Sequence, residues 1–184
     1  MQKLSRESWI EAGLRMLDES GYAQLSAEKL ARRLNVTRGS FYHHFRNRAD
    51  LVQALLLRWQ ADYTDAVIAY ADAVEDPGLR LERYLLIAGC LQPGREVAIR
   101  AWASKDGAVR TALERVDARR REFAERLAQA LFPGALPADV QRFARVACLT
   151  FIGFQQTGPH GRERFAELIE DVLALARPRA GPQP

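Results

Sequence analysis

Helical periodicity extends over almost the whole sequence, and it restricts the chain to an all-α fold. Apolar residues recur at helical spacing in segment after segment, beginning with Trp9, Ile10, Leu14 and Leu17. No segment alternates apolar and polar residues as a half-buried strand would, and Asp106-Gly107 lies between helical stretches rather than in a hairpin. About nine helices are expected, separated by breaks that include Pro77-Gly78, Gln92-Pro93-Gly94, Pro133-Gly134 and Gly158-Pro159.

The N-terminal helix boundaries are predicted from residues that can cap free backbone groups. Ser5, Ser26, Thr37 and Asn47 are the predicted N-caps, and Gly21 is the predicted C-cap of the first helix. The helices that begin at Ser26 and Thr37 are short. The helix after Asn47 is predicted to run from Arg48 to about Val74.

Positive charge is concentrated in one short part of the chain. Between Ser26 and Asp50 there are six cationic residues and two anionic ones: Lys29, Arg32, Arg33, Arg38, Arg46 and Arg48 against Glu28 and Asp50. This local charge of +4 equals the formal net charge of all 184 residues. A concentrated basic segment favours a polyanionic partner, whereas the same charge spread evenly would indicate little.

The basic segment also has the pattern of a helix-turn-helix. From Ser26 to Phe45 it reads SAEKLARRLNVTRGSFYHHF, with a short amphipathic helix, a turn at Asn35-Val36 and a second short helix. Apolar residues are expected to join the two helices and fill the core: Leu30, Ala31, Leu34, Val36, Phe41 and Phe45. The exposed residues of the second helix would then face the major groove of duplex DNA.

Eight residues are the predicted DNA contacts. Arg38 can donate two hydrogen bonds to guanine, Gly39 permits close approach of the backbone, and Arg48 lies in a first helical turn where phosphate meets free amides. The hydroxyl, phenol and imidazole groups can bond bases or phosphate oxygens. The full set is Ser26, Thr37, Arg38, Gly39, Ser40, Tyr42, His43 and Arg48.

Residues 9–55 resemble the N-terminal DNA-binding domain of TetR-family transcriptional regulators. The resemblance rests on VTRGSFYHHF at Val36–Phe45, with Glu19-Ser20-Gly21-Tyr22, Leu25-Ser26 and Asp50-Leu51. It implies a homodimer that binds a two-fold or near two-fold DNA operator, and a repressor that a small molecule releases. The chain departs from the family pattern in its short arm, where Lys3 and Arg6 are the cations, and in Arg48, where lysine is common.

Three regions are expected: a helix-turn-helix domain at 1–47, a helical effector-binding and dimerisation domain at 48–177, and a loose tail at 178–184. Apolar stripes on the last two helices are the predicted dimer interface, with Gly153 allowing close approach. They comprise Phe143, Ala147, Thr150, Phe151, Phe154, Phe165, Ile169 and Val172. The alternative is that these stripes form the intramolecular core.

An effector cavity is expected between the DNA-binding domain and the last two helices. Its candidate lining residues are Trp59, Tyr63, Tyr84, Cys90, Trp102 and Gln155. Few charged residues fall on the expected inner faces, so a neutral or weakly polar effector is expected. Arg119-Arg120-Arg121 is interpreted as a solvated helix face because Glu114, Glu122 and Glu125 surround it.

Other function classes find no support in the sequence. There is no Gly-rich phosphate loop, nucleophile elbow or carboxylate pair with a partner histidine, so neither an enzyme nor catalytic residues are expected. No cofactor or metal site is expected, because adjacent His43 and His44 do not share a helix face. Cys90 and Cys148 are interpreted as reduced, buried thiols of a cytoplasmic protein, and no apolar run suits a membrane span. A small-molecule binding protein without DNA recognition is the alternative to a regulator.

Overall fold

The computed structural model describes residues 4–158 and 160–176, and these residues form nine α-helices and no β-strand. The helices are α1 (Arg6–Ser20), α2 (Ala27–Arg33), α3 (Arg48–Gln60), α4 (Ala66–Asp72), α5 (Pro77–Ala88), α6 (Pro93–Ala103), α7 (Gly107–Leu131), α8 (Pro137–Gln156) and α9 (Arg162–Ala176). Short 3₁₀ helices occupy Tyr22–Gln24 and Arg38–His43, and a π-helical turn, Ala61–Asp65, joins α3 to α4. The all-α expectation is confirmed, while Lys3 and the predicted tail at 178–184 lie outside the described residues.

Most of the predicted helix caps are present in the structure. Ser5, Ser26 and Asn47 each accept a hydrogen bond from the backbone N–H three residues ahead, at 3.2, 3.2 and 3.0 Å. Gly21 has a φ of 71°, and its N–H donates to the Leu17 carbonyl as a C-cap requires. Thr37 occupies the predicted N-cap position of the 3₁₀ helix Arg38–His43, but its hydroxyl makes no capping hydrogen bond.

Two of the expected breaks are the first residues of helices. Pro77 begins α5 and Pro93 begins α6. Proline suits the first helical turn because its fixed φ is helical and the N–H that it lacks would have no intrahelical partner there. The glycines that follow these prolines therefore lie inside the helices, and not in the connections before them.

The chain divides into two compact units whose boundaries differ from the expected division after residue 47. The first unit extends to Tyr63 and takes in Gln92–Glu114, and the second comprises Thr64–Leu91 and the chain from Arg115 onwards. The later segment joins the first unit because α6 packs against α1. Arg95 donates to both carboxylate oxygens of Asp18, at 3.2 and 2.8 Å. A Cβ at Gly94 would lie 2.5 Å from the Asp18 carbonyl oxygen, so glycine is required for this approach.

The core of the first unit is built around aromatic side chains from α1 and the helix-turn-helix. Trp9 of α1 is fully buried and meets the Phe41 ring edge-on, with centroids 5.6 Å apart and an interplanar angle of 76°. Phe45 stacks on Phe41 at 5.3 Å. As predicted, both phenylalanines are core residues, and they fix the segment between α2 and α3 on α1.

The core of the second unit contains most of the residues that were predicted to form a dimer interface. Phe143, Phe151, Phe154, Phe165, Ile169 and Val172 are each at most 8% exposed within the single chain. Ala147 and Thr150 are half-buried. Phe151, Phe154, Phe165 and Ile169 pack together with Val67 and Ala88, and Phe143 and Val172 pack with Ala128 and Val140. The interface prediction is wrong for the six buried side chains, which have almost no surface left for a second chain.

No α-helix within residues 4–158 and 160–176 is long and apolar enough to cross a membrane.

Candidate nucleic-acid interface and ligand cavity

The turn between α2 and the next helix is set by Asn35. Its φ of 53° lies in the left-handed region, which asparagine tolerates better than most residues. The turn is held by two backbone hydrogen bonds, from the Asn35 N–H to the Arg32 carbonyl at 3.1 Å and from the Val36 N–H to the Ala31 carbonyl at 2.9 Å. It leads directly into the 3₁₀ helix Arg38–His43, hereafter the recognition helix.

The recognition helix is anchored on one side and exposed on the other. Phe41 is buried against Trp9, whereas its neighbour Tyr42 is 55% exposed. Thr37, Arg38, Gly39 and His43 are also exposed, and Ser40 is half-buried. The predicted contact residues of this segment therefore share one accessible turn whose position is fixed by a buried aromatic ring. Because Thr37 makes no side-chain cap, its hydroxyl is not used by the helix.

Three cations of the basic segment, Lys29, Arg38 and Arg48, have no carboxylate partner within the described part of the chain. The other arginines are paired: Arg32 with Glu28 at 3.1 Å, Arg33 with Glu19 at 2.6 Å and Arg46 with Asp50 at 3.7 Å. Lys29 donates to the side chain of Gln24. Arg38 donates to the Tyr42 hydroxyl at 3.4 Å, and Arg48 lies over an aromatic ring. The charge that this segment offers to a partner is thus carried by Arg38, Arg48 and Lys29.

The ion pair between Arg33 and Glu19 has a structural role. Arg33 donates two parallel hydrogen bonds of 2.6 Å, one to each carboxylate oxygen of Glu19. These bonds lower the pKa of Glu19 below its usual value and raise the pKa of Arg33. Since Glu19 is in α1 and Arg33 in α2, the pair connects the two helices.

The start of α3 is held by a reciprocal cap that positions Arg48 in its first turn. The Asn47 side chain accepts from the Asp50 N–H, and the Asp50 carboxylate accepts from the Arg46 N–H at 3.0 Å. The bond from Arg46 is the main cause that lowers the pKa of Asp50. Arg6 also pairs with Asp50 at 3.2 Å, so this cation of the N-terminal arm is already engaged.

Trp102 supports Arg48, a role that the sequence analysis missed. The Arg48 guanidinium carbon lies 5.4 Å from the centre of the Trp102 ring, and Trp102 stacks on Tyr22 at 5.6 Å with an interplanar angle of 9°. A cation held over an indole face loses part of its conformational freedom while its charge stays accessible. The sequence carries no local signal for this contact because Trp102 belongs to α6.

A cavity of about 310 Å³ lies within the second unit, among α5, α7, α8 and α9. Five aromatic residues line it: Tyr84, Phe123, Phe143, Phe151 and Phe165. Its lining also contains one acidic residue and three arginines, Asp117, Arg120, Arg121 and Arg145. The expectation that few charged residues face the interior is wrong for this cavity.

Arg120 shows why that expectation failed. It is only 5% exposed, although the sequence analysis placed all of Arg119-Arg120-Arg121 on a solvated face. Its Nε donates to the Thr64 hydroxyl at 3.1 Å, and its guanidinium lies 5.0 Å from the centre of the Phe151 ring. Successive residues of an α-helix point about 100° apart, so three consecutive arginines face different directions and one of them can point inward.

Of the six predicted effector contacts, Tyr84 lines this cavity and the other five do not. Trp59 and Trp102 are buried in the first unit, where Tyr63 also lies and donates from its hydroxyl to the Gln92 carbonyl at 3.5 Å. Large aromatic residues serve core packing before ligand binding, and the packing role prevails here. Gln155 is 1% exposed, and neither polar atom of its side chain has a hydrogen-bond partner in the described part of the chain.

The two thiols have different environments. Cys90 is exposed, so its assignment as a buried thiol is wrong, and it does not line the cavity described above. Cys148 lines the cavity, and burial raises the pKa of its thiol to about 11. Among residues 4–158 and 160–176, no group of three His, Cys, Asp or Glu side chains is arranged to hold a metal ion.

These features define a helix-turn-helix protein with a second, all-helical unit that contains a cavity. Residues 10–55 match the family described as bacterial regulatory proteins, tetR family. The match covers the helix-turn-helix, its anchoring helix α1 and the start of α3.

The chain is similar to known transcriptional regulators over part of its length. The chain is 43% identical over 53 residues to the transcriptional regulator AcuR of Cereibacter sphaeroides, and 28% identical over 110 residues to the HTH-type transcriptional regulator BetI 2 of Chromohalobacter salexigens. These matches cover 29% and 56% of this chain but only 24% and 53% of the two relatives. Both relatives are transcriptional regulators and neither is an enzyme.

The fold is shared over nearly the full length of the chain. A protein from Saccharomonospora viridis, solved in complex with choline, is similar with a TM-score of 0.77 over 92% of this chain and 95% of that protein. Only 14% of the aligned residues are identical, so this likeness establishes the fold alone.

Proposed function

We propose that this chain is a dimeric, sequence-specific DNA-binding transcriptional regulator, and that it acts as a repressor released from its operator by a small molecule. The observation that carries the proposal is the recognition helix. It exposes Arg38, Gly39, Tyr42 and His43 on one turn, and its buried Phe41 fixes that turn to the core of the first unit.

The exposed residues have chemistry suited to separate parts of a DNA duplex. Arg38 has a guanidinium group without a carboxylate partner among the described residues, and two of its N–H groups match the O6 and N7 acceptors of guanine. In this proposal the exposed Tyr42 and His43 and the Trp102-supported Arg48 donate to phosphate oxygens. Arg38 therefore supplies sequence discrimination in this proposal, and Arg48 supplies affinity for any duplex.

A second copy of the chain is the proposed partner, because a two-fold operator requires a two-fold reader. The exposed apolar residues of the last two helices support this pairing in place of the buried stripes. On α8 Val146 is 41% exposed, and on α9 Leu175 is 87% exposed. Large apolar side chains that a single chain leaves exposed are candidates for an association site.

Sedimentation of charge variants tests the pairing. Val146→Glu and Leu175→Glu together should convert a dimer to a monomer, because a buried carboxylate without a partner opposes association. Leu79→Glu on α5 is the matched control, since Leu79 is 42% exposed and lies on another helix. A double variant that sediments as the unmodified dimer would place the interface elsewhere.

Coupling between effector and DNA is proposed to pass along the helical run from Arg48 to Asp72. This run begins in the first unit with α3, contains the π-helical turn Ala61–Asp65 and continues in the second unit as α4. A ligand that prefers one arrangement of the second unit shifts the population towards it. Because successive major-groove faces lie about 34–36 Å apart, a small change in the spacing of two recognition helices weakens operator binding.

A gel-shift experiment with DNA from upstream of the coding sequence tests DNA recognition. Arg38→Ala should cost about 1–3 kcal/mol of binding free energy and relax sequence preference, whereas Arg48→Ala should weaken all duplexes alike. Arg15→Ala removes an exposed arginine of α1 outside the motif and serves as the control. Affinity should also fall steeply with salt, because phosphate contacts release counterions.

Two results of this experiment would contradict the proposal. The first is equal loss on upstream and random DNA for Arg38→Ala, which would remove its role in sequence recognition. The second is tight binding of the unmodified chain that does not vary with salt, which phosphate contacts cannot produce.

A further inference from the structure

The cavity of the second unit combines apolar walls with an excess of positive charge. Its volume of about 310 Å³ lies at the lower end of the ~300–1,000 Å³ typical of small-molecule pockets. Arg120, Arg121 and Arg145 line it together with a single carboxylate, that of Asp117. The Asp117 carboxylate lies 4.0 Å from the Arg120 guanidinium and offsets its charge. Arg121 and Arg145 therefore give the lining two further positive charges.

Those two charges belong to residues without a carboxylate partner in the described part of the chain. Arg121 on α7 and Arg145 on α8 are exposed at the cavity, and neither forms an ion pair there. Arginines close to them on the same helices are paired, Arg119 with Glu122 at 3.5 Å and Arg142 with Asp139 at 2.6 Å. Arg121 and Arg145 therefore keep their charges available to a ligand of the cavity.

The positive potential extends to the apolar wall. Cys148 lies in the lining, and the charges of Arg121 and Arg120 act on its thiol. Burial nevertheless keeps that thiol protonated near neutral pH, so Cys148 supplies no anion to balance the arginines. An incoming ligand with a negative group would therefore meet two cations and no competing thiolate.

We propose that this cavity binds an organic anion with an apolar body, such as a carboxylate on a short aliphatic chain or an aromatic ring. The body would lie among aromatic residues such as Phe123 and Phe143, and the carboxylate would accept charge-assisted hydrogen bonds from Arg121 and Arg145. This inference rests on the proposed function, because it names the chemistry of the effector. It replaces the neutral effector expected from the sequence.

Calorimetric titration with three ligands of equal chain length tests the proposal without DNA. Octanoate, 1-octanol and octylammonium share one body and differ in the charge of the head group. Octanoate should bind the full chain at least tenfold more tightly than 1-octanol, and octylammonium should bind most weakly. Raising the salt concentration should weaken octanoate more than 1-octanol, because ions screen the partly exposed arginines.

Substitutions at the rim separate the charge from the apolar body. The double variant Arg121→Gln with Arg145→Gln should bind octanoate at least tenfold more weakly and leave 1-octanol affinity unchanged. Arg142→Gln is the matched control, because it removes an exposed α8 arginine that does not line the cavity. Both substituted positions are exposed, so the variants should keep the thermal midpoint of the unmodified chain.

Three outcomes would overturn the proposal: equal affinity for octanoate and 1-octanol, full octanoate affinity in the double variant, or no binding of any of the three ligands. If the unmodified chain did not bind octanoate and the double variant lost dimerisation, Arg121 and Arg145 would instead be assigned to an interface with a second copy of the chain. Each of these results leaves the gel-shift experiment unaffected. Conversely, octanoate binding in a chain that fails to bind DNA would separate the cavity from the proposed regulatory function.

Discussion

Replacing Gly39 by alanine separates DNA recognition from folding more cleanly than any arginine substitution. A Cβ at this position would have the Thr37 Oγ1 as its nearest neighbour, at 3.6 Å, which is an ordinary van der Waals contact. The positive-φ glycines among the described residues are Gly21 and Gly161, so Gly39 has a backbone conformation that alanine adopts without strain. The folded state should accept Gly39→Ala without adjustment.

The expected effects on stability and on binding have opposite signs. The free energy of unfolding should be unchanged or higher by about 0.4–1 kcal/mol, because alanine has less freedom in the unfolded chain. Binding should weaken by about 1–3 kcal/mol if the glycine lies against the DNA, since an extra methyl group in a packed contact costs that much. That loss corresponds to about 5- to 150-fold in the dissociation constant.

Fluorescence anisotropy with labelled upstream DNA measures the binding, and thermal unfolding measures the stability. Gly134→Ala is the control, because a Cβ there meets nothing within 4 Å and the residue lies in the connection between α7 and α8. An unmodified dissociation constant for Gly39→Ala, together with an unmodified thermal midpoint, would refute the placement of this turn against DNA.

Three further predictions concern the packing and the thiols. Gly94→Ala should lower the free energy of unfolding by about 1–3 kcal/mol, since its Cβ would lie 2.5 Å from the Asp18 carbonyl oxygen; an unchanged thermal midpoint would contradict the packing of α6 on α1. Gln155→Leu should be neutral or raise the free energy of unfolding by up to about 2 kcal/mol, because a buried amide without a partner is costly; a large loss in denaturant titration would show that the amide is bonded. At pH 8 iodoacetamide should modify exposed Cys90 well before Cys148, because the Cys148 pKa of about 11 keeps that residue a thiol. The rate of Cys148 modification should rise as the pH approaches that value. Equal modification rates for the two cysteines, measured by peptide mass spectrometry, would refute the burial of Cys148.

Local signals in the sequence predicted the N-terminal unit well. Ser5, Ser26 and Asn47 cap helices because a cap depends on a hydroxyl or amide and the next three residues, all of which are adjacent in sequence. Phe41 and Phe45 were correctly assigned to the core because apolar spacing reports which side of a short helix is covered. Thr37 was the exception, since a 3₁₀ helix follows it and its hydroxyl caps nothing.

Contacts between distant segments could not be predicted. An apolar stripe on α8 reports burial but not what covers it, so Phe151 and Phe154 were assigned to a partner chain when α9 and α5 cover them. Trp102 was assigned to a ligand site. Its contact with Arg48 could not be predicted, because that contact depends on the packing of α6 in the first unit. Arg120 was assigned to solvent because nothing adjacent in sequence indicates that Thr64 accepts its hydrogen bond.

A cleavage-protection footprint on the upstream DNA shows whether the recognition helix reads a particular DNA sequence. We expect one protected region with two related half-sites on the same face of the duplex, separated by about 34–36 Å or a multiple of that distance. We also expect this protection to disappear with Arg38→Ala at concentrations where the unmodified chain protects fully. Uniform coverage of the whole fragment, or identical protection by Arg38→Ala, would contradict this expectation.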